Sequence, residues 1–337
     1  MIFVTGGTGF LGRHLVPSLC NAGHTVRVLT RQPHQHAWLS QYSNVEIVQG
    51  DLLDRDVLFK GIAGCQTVIH AGGMFRFWGN PEAFEATNAL GTQHVLEAAV
   101  QAEVQRFIHI STIAVIGQPD PARIVDETHP AHPVDAYQRS KWEGEQAAVR
   151  TYERDGLPLV VLRPGAYYGP LGHYAFNRLF FKDPMRGIIM QVNGGRYIIF
   201  PAYITDVVQG VMKALDVARL GEVYNICGDW ISHKDAFDII CQEADIHWPR
   251  LNIPGWMGIA ASQALEALST ITRTEPFWPL NLRSYVYNNW RVSTEKARRE
   301  LGFSPTDFRE GARRTIAWYR AGEPDDLPEF HCEQQAD

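Results

Sequence analysis

The chain has 337 residues, 45% hydrophobic and 20% charged, with a net charge of −6 and no long run of one sign. These values describe a soluble globular protein of one large domain or two, and they offer no basic face for nucleic acid. The five cysteines (Cys20, Cys65, Cys227, Cys241, Cys332) are scattered without CxxC or Cys/His spacing. That pattern argues against a zinc site or disulfide frame and for a reducing compartment.

The N-terminus, MIFVTGGTGF, lacks a basic n-region and reaches glycine by position 6, so it does not read as a signal peptide, and a cytoplasmic location is expected. Up to residue 165, short apolar runs alternate with amphipathic helices. The expected strands are Ile2–Thr5, Thr25–Thr30, Val45–Gln49, Thr67–His70, Arg106–Ile110 and Leu159–Arg163, with helices near 10–22, 54–63, 83–102 and 136–154. This is the signature of βαβ units: an α/β Rossmann fold with a doubly wound parallel sheet. Pro17 predicts a kink in the first helix. Beyond 165, Gly, Pro and aromatic residues become frequent. The run EVYNICG (222–228) predicts a strand returning to the sheet, and two short helices close the chain. The expected division is a dinucleotide domain of 1–165 plus about 205–228, a substrate-binding domain of about 166–204 and 229–322, and a polar, frayed tail of 323–337. The most apolar stretch, 255–271, is interrupted by Gln263 and Glu266 and is too short and polar to span a bilayer. It reads as a packed helix of the second domain.

The first strand runs into TGGTGFLG, where Gly6, Gly9 and Gly12 follow GxxGxxG spacing before a helix that opens at Phe10 and Leu11. In that context Gly6 permits the tight turn and Gly9 lets backbone approach a pyrophosphate. Gly12 lets the helix close on the strand. The second strand ends in Thr30 and Arg31, with no carboxylate to accept from an adenosine 2′-hydroxyl. A guanidinium there suits a 2′-phosphate, so NADP (NADPH) is expected ahead of NAD. Asp51 and Leu52 follow the third strand and can bond and cover an adenine; Asp51 can equally cap the next helix. The fourth strand ends in Ala71 and Gly72, small residues where backbone passes close to a cofactor.

The segments TGGTGFLG, GDL, HAGG, NALGTQHVLEAA, HISTIAVIG, AYQRSK and RPGAYYGP stand in the order found in extended short-chain dehydrogenase/reductases. The chain resembles that superfamily over about residues 1–230, with its 3β-hydroxysteroid dehydrogenase-like and dihydroflavonol-reductase-like branch the nearest. The resemblance implies that Tyr137 and Lys141 are the catalytic Tyr-xxx-Lys pair and Thr112 the catalytic hydroxyl, with Ser111 in reserve beside the cofactor. It implies a structural role for Asn88, and contact of Pro164 and Gly165 with a nicotinamide. It also implies a homodimer.

The chemistry asks for these residue types. A free phenol, pKa near ~10, is a poor base at neutral pH, and a nearby cation lowers that value. Lys141, one helical turn from Tyr137, can supply the charge and hold ribose hydroxyls, while Thr112 orients the substrate oxygen. Met74, Phe75, Phe77 and Trp78 after the fourth strand are expected to line an apolar pocket, with Tyr167, Tyr168, Tyr174 and Phe176 opposite. The reading is an NADP-dependent oxidoreductase interconverting an alcohol and a ketone or aldehyde on a bulky, mainly apolar small molecule. Ile199 and Phe200 occupy positions where sugar-nucleotide members of the superfamily carry an Arg-Asp pair, although Arg196 is near enough to substitute. A sugar-nucleotide epimerase or dehydratase with tightly bound NAD is therefore one alternative, and a non-catalytic cofactor sensor another. His34 and His36 lack further ligands at metal spacing, so no metal is expected.

Overall fold

The computed structural model describes residues 1–120, 123–325 and 327. Seven parallel strands form the central sheet: β1 (Ile2–Thr5), β2 (Val26–Thr30), β3 (Val45–Gln49), β4 (Thr67–His70), β5 (Arg106–Ile110), β6 (Leu159–Pro164) and β7 (Val223–Ile226). Their order is β7-β6-β5-β4-β1-β2-β3, which reverses direction of growth beside β1. In such sheets ligands bind at that switch, outside the carboxyl ends of the strands.

Alternation along each strand sends side chains to two separate cores. Val4, Ile69, Ile108 and Val160 face one side, where α1 (Phe10–Asn21) and α5 (Ile204–Asp216) cover them. Phe3, Val68, Phe107 and Leu159 face the other, under α2 (Arg55–Ile62), α3 (Gly91–Gln101) and α4 (Ala136–Asp155). Strands covered on both faces need continuous apolar runs, which is why these segments read so clearly. The exception is β3 at the edge, where Glu46, Ile47 and Gln49 are exposed. Helix α1 runs on through Pro17. Helix α4 starts at Asp135, whose carboxylate accepts from Gln138 N–H at 2.8 Å, and stops at Gly156 in the left-handed region, φ 69°.

The helix expected over 83–102 has a wide turn in it. Residues Glu85–Leu90 form π-helix before α3 begins. The extra residue turns Asn88 inward: its Oδ1 accepts from Met74 N–H at 2.7 Å, and its Nδ2 donates to Met74 O and Ser140 Oγ, both at 3.0 Å. Asn88 thus ties the loop after β4 to α4, and the π-turn is the local distortion that makes this possible.

The smaller lobe has its own aromatic core of Phe176, Phe181, Phe237, Phe308 and Trp318, with α6 (His233–Glu243) and α8 (Phe308–Arg320) packed together. The expectation of a frayed tail from Glu323 is corrected at its start. Glu323 takes Lys182 Nζ at 3.0 Å, and Arg13 reaches the Asp325 carboxylate at 3.0 Å. The rest of that tail, with Cys332, lies outside the described residues. Among the described residues no helix is long and apolar enough to cross a membrane, and no cluster of His, Cys, Asp or Glu could hold a metal.

Candidate active site

The glycine turn holds the end of β4 against the start of α1. Gly6 sits at φ +70°, and a Cβ there would lie 2.5 Å from Ala71 O. A Cβ on Gly12 would lie 2.3 Å from the Gly7 carbonyl, so that glycine serves helix-to-strand packing. Thr5 Oγ1 accepts from Gly72 N–H at 3.0 Å and contacts His70 Nδ1 at 2.7 Å, which fixes the Ala71–Gly72 peptide. Gly9 caps α1 with no side-chain hydrogen bond to its first-turn N–H groups, and Gly9, Phe10 and Leu11 line the cleft. This bare helix start beside a close-packed glycine turn suits a pyrophosphate.

The end of β5 carries Ser111 and Thr112, and α4 brings Tyr137 and Lys141 over it. Lys141 Nζ donates to Ile110 O at 2.7 Å. Burial lowers the Lys141 pKa to about 8, against the pull of the Glu145 carboxylate. Burial pushes the Tyr137 phenol up, opposed by a hydrogen bond with Thr112. The direction is opposite to the lowering expected from Lys141: loss of water dominates, and the Asp135 carboxylate adds to it. His70 and His109, on neighbouring strands behind Lys141, stay neutral. Burial first, and then the Lys141 charge, hold His70 down at about 3 and His109 well below its ordinary value.

Beneath the pair lies a buried polar network. Ser111 Oγ donates to Glu145 Oε2 at 2.5 Å, and Arg163 grips the same carboxylate through Nη2 at 2.5 Å and Nε at 3.1 Å. Ser111 is thereby committed to Glu145, and Thr112 is the hydroxyl left beside Tyr137.

One cleft of about 460 Å³ gathers Gly6, Gly9, Phe10, Leu11, Ala71, Met74, Phe75, Phe77, Ser111, Thr112, Tyr137, Lys141, Pro164, Gly165 and Tyr167. Seven expected residues stand outside that lining: Gly12, Arg31, Asp51, Leu52, Gly72, Trp78 and Tyr168. Gly12 and Gly72 pack the turn, and Trp78 lies beyond Phe77. Asp51 accepts from its own Leu53 N–H at 3.0 Å, while Asp54 caps α2. Leu52 rests near Gly72 and Gly91. The placement of Tyr168 is corrected: it is 1% exposed and stacked on Phe181 in the smaller lobe's core. Ala166–Tyr168 is a strand paired with Pro201–Tyr203, so neighbouring side chains point to opposite faces and, of the two tyrosines, Tyr167 meets the cleft while Tyr168 does not.

Several lining residues escaped the sequence reading: Phe180, His233, Leu282, Tyr285, Val286 and Asn288. Tyr285 Oη donates to the buried Asp135 at 3.1 Å and its ring meets Phe75 and Phe77 edge-on. The run SYVYNNW was the available signal, but nothing local says that it folds back 150 residues to Asp135. Arg196 is exposed beside Tyr197 and does not line the cleft; among the described residues Arg76 is the arginine that does.

A parallel sheet with a glycine turn at its switch point, and a Tyr/Lys pair above it, defines an NAD(P)-binding enzyme of the oxidoreductase type. The model of the NAD dependent epimerase/dehydratase family matches residues 2–227, and the chain belongs to that family. It is 32% identical, over 90% of its length and 91% of the relative's, to a 4-hydroxy-2-methyl-3-oxo-4-farnesyl-3,4-dihydroquinoline-1-oxide ketoreductase of Stigmatella aurantiaca. It is 30% identical to a dTDP-glucose 4,6-dehydratase of Actinoplanes, covering 95% and 98% of the two chains. Its fold is shared with DesIV, a dTDP-glucose 4,6-dehydratase of Streptomyces venezuelae solved with NAD, at TM-score 0.78 and 24% identity over 95% and 97%.

The expectation of NADP ahead of NAD is overturned. DesIV and other solved structures of this fold hold NAD. The local electrostatics agree: Arg31 is 80% exposed and its guanidinium faces the Asp51 carboxylate at 3.8 Å. That carboxylate offsets the charge meant for a 2′-phosphate and would repel one. The solved structures matched also include sugar-nucleotide epimerases and dehydratases, so the narrower placement near 3β-hydroxysteroid dehydrogenases is not carried by them.

Proposed function

We propose that the protein transfers hydride between NAD and a carbon bearing a hydroxyl or carbonyl, on a bulky, mainly apolar substrate. The observation that supports this most is the cleft's division. Its floor holds Thr112, Tyr137 and Lys141, while its outer wall is rings and aliphatic groups: Phe75, Phe77, Phe176, Phe180, Ile199 and Phe200. NAD, when bound, supplies the hydride donor or acceptor. The N-terminus of α1 and Gly9 receive the pyrophosphate, and Lys141 takes the nicotinamide ribose. Tyr137, kept protonated by its burial, gives its proton to the substrate oxygen as a carbonyl is reduced. Thr112 holds that oxygen in line. Reversal of the same proton path serves oxidation. The ketoreductase relative supports this substrate class.

A second reading, a sugar-nucleotide epimerase or dehydratase that recycles its NAD, is supported by the dehydratase relative and by neighbours solved with UDP-glucose or UDP-glucuronic acid. Ile199 and Phe200 line the cleft in place of the Arg-Asp pair, which leaves Arg76 as the arginine among the described lining residues that could meet a diphosphate. One screen separates the two. The purified enzyme is given NADH with apolar ketones and steroids, and separately NAD with dTDP-glucose and UDP-sugars. Stoichiometric NADH oxidation by an apolar ketone is expected; sugar conversion with no net change in NADH would transfer the assignment to the second reading.

A further inference from the structure

Helix α7 (Gly255–Thr272) is inside out. Gly255, Gly258, Ser262 and Ser269 are its buried residues, and they lie on one stripe with the partly buried Leu265 and Glu266. Tyr287 Oη donates to Gly255 O at 3.1 Å and Glu266 accepts from Leu280 N–H at 2.7 Å, so the small and polar side is the one seated on the protein. The opposite stripe carries Trp256, Met257, Ala260, Ala261, Ala264, Ala267, Leu268 and Ile271, all exposed and without a charge, hydroxyl or amide among their side chains. At 3.6 residues per turn these eight fall within less than half the helix circumference. Trp256 is 71% and Ile271 80% exposed, at opposite ends of the stripe. The sequence expectation of a packed helix therefore holds for the wrong face: the large apolar residues point outward.

We propose that this stripe docks on an anionic lipid surface, with α7 lying in the plane of the interface. Three observations choose this occupant. First, Trp256 stands exposed at one end of the stripe, where membrane interfaces favour an indole ring, and the strand leading into α7 and its neighbour carry or adjoin further exposed apolar residues, Trp248, Leu251 and Ile188. Second, of the seven Lys and Arg in the stretches 178–196 and 246–285, Arg178, Lys182 and Arg250 are paired with Asp183, Glu323 and Asp238, which leaves four arginines in a chain of net charge −6. Interfacial helices take their basic residues from their own polar face; here that face is seated on the protein, and Arg273 at the end of α7, with Arg186, Arg196 and Arg283 of those stretches, are exposed instead. Third, a second copy docked through the same stripe would set this basic rim against itself, because a two-fold contact is isologous. Beneath α7 lie Leu282, Tyr285 and Val286 of the cleft wall. The inference does not depend on the hydride-transfer reading.

The test is vesicle flotation of the full chain with phosphatidylcholine alone and with added phosphatidylglycerol. The wild type is expected to float with the anionic vesicles. Trp256→Glu with Ile271→Glu should weaken that partition by about tenfold or more, since two apolar anchors become charges. Arg273→Glu with Arg186→Glu should erase the preference for phosphatidylglycerol. Unchanged melting temperature shows that the variants are folded; Trp256→Ser with Ile271→Ser reads the same loss should the glutamates unfold the lobe. The proposal is overturned by a wild type that floats with neither vesicle. It is equally overturned if the apolar double variant floats like the wild type, or converts a dimer to a monomer with no vesicle binding by the parent.

Discussion

The floor of the cleft is held by hydrogen bonds, and its outer wall by rings. On the floor and just beneath it, Glu145 joins Ser111 to Arg163 and Lys141 is tied to the Ile110 carbonyl, through contacts of 2.5–3.1 Å, all on elements of the sheet domain. On the wall, Phe75 meets Tyr137, Phe77, Tyr174 and Tyr285 with centroids 4.7–6.1 Å apart, drawn from four separate parts of the chain. A bonded floor fixes atoms to fractions of an ångström, as proton transfer requires. A packed wall fixes a shape, which suits an apolar substrate and tolerates change in it. Floor substitutions should therefore act on kcat or on stability, and wall substitutions on KM.

The largest effect is expected at Tyr137. Tyr137→Phe removes the proton donor and keeps the ring, so turnover should fall by about 10²–10⁴-fold while NADH affinity stays within a few-fold. Steady-state kinetics with an NADH fluorescence titration reads both. Next is Glu145→Ala, which leaves the 5% exposed Arg163 without its carboxylate. A buried charge stripped of its partner costs about 3–5 kcal/mol, to be read as a lower urea midpoint. On the wall, Phe75→Ala should raise KM for an apolar substrate by about tenfold and leave kcat nearly unchanged, the size expected for losing part of a hydrophobic pocket. A fall in kcat equal to that of Tyr137→Phe would erase the distinction between floor and wall.

The smallest effect is in pH dependence. Lys141 is lowered from 10.5 to about 8 in the folded protein, so the unfolded chain binds more protons between those values. Stability from this group is therefore lowest below pH 8 and rises as pH goes from 8 toward 10. The Tyr137 phenol, pushed up by burial, works against stability only above its ordinary value of 10.0. Between pH 8 and 10, the wild type should gain melting temperature relative to Lys141→Met. A constant difference across that range would contradict the assigned shift.

What the sequence made legible follows the same division. Gly6, Gly9 and Gly12 lie within one turn, and Tyr137 and Lys141 within one helical step, so local spacing was enough to bring them together. The strands were legible because both faces are covered. The wall was legible in part: Met74, Phe75, Phe77, Tyr167, Tyr174 and Phe176 line the cleft as expected, whereas Phe180, Tyr285 and Val286 reach it only through tertiary packing of the smaller lobe. Tyr168 was misplaced because its strand character, and with it the alternation that separates it from Tyr167, depends on pairing with residues 201–203. Arg31 misled for a related reason: the carboxylate opposite it belongs to the segment after the neighbouring strand. For α7 the composition was visible, but not which face would be seated on the protein.

The central claim is that the glycine turn, Tyr137 and Lys141 serve one nicotinamide. The direct measurement is a crystal structure of the protein with NAD. The account predicts the pyrophosphate at the N-terminus of α1, Lys141 Nζ bonded to the nicotinamide ribose, and the Tyr137 hydroxyl beside the ring's reactive carbon. A dinucleotide bound with its nicotinamide outside the cleft, or with Lys141 still turned to the Ile110 carbonyl and away from the ribose, would contradict it.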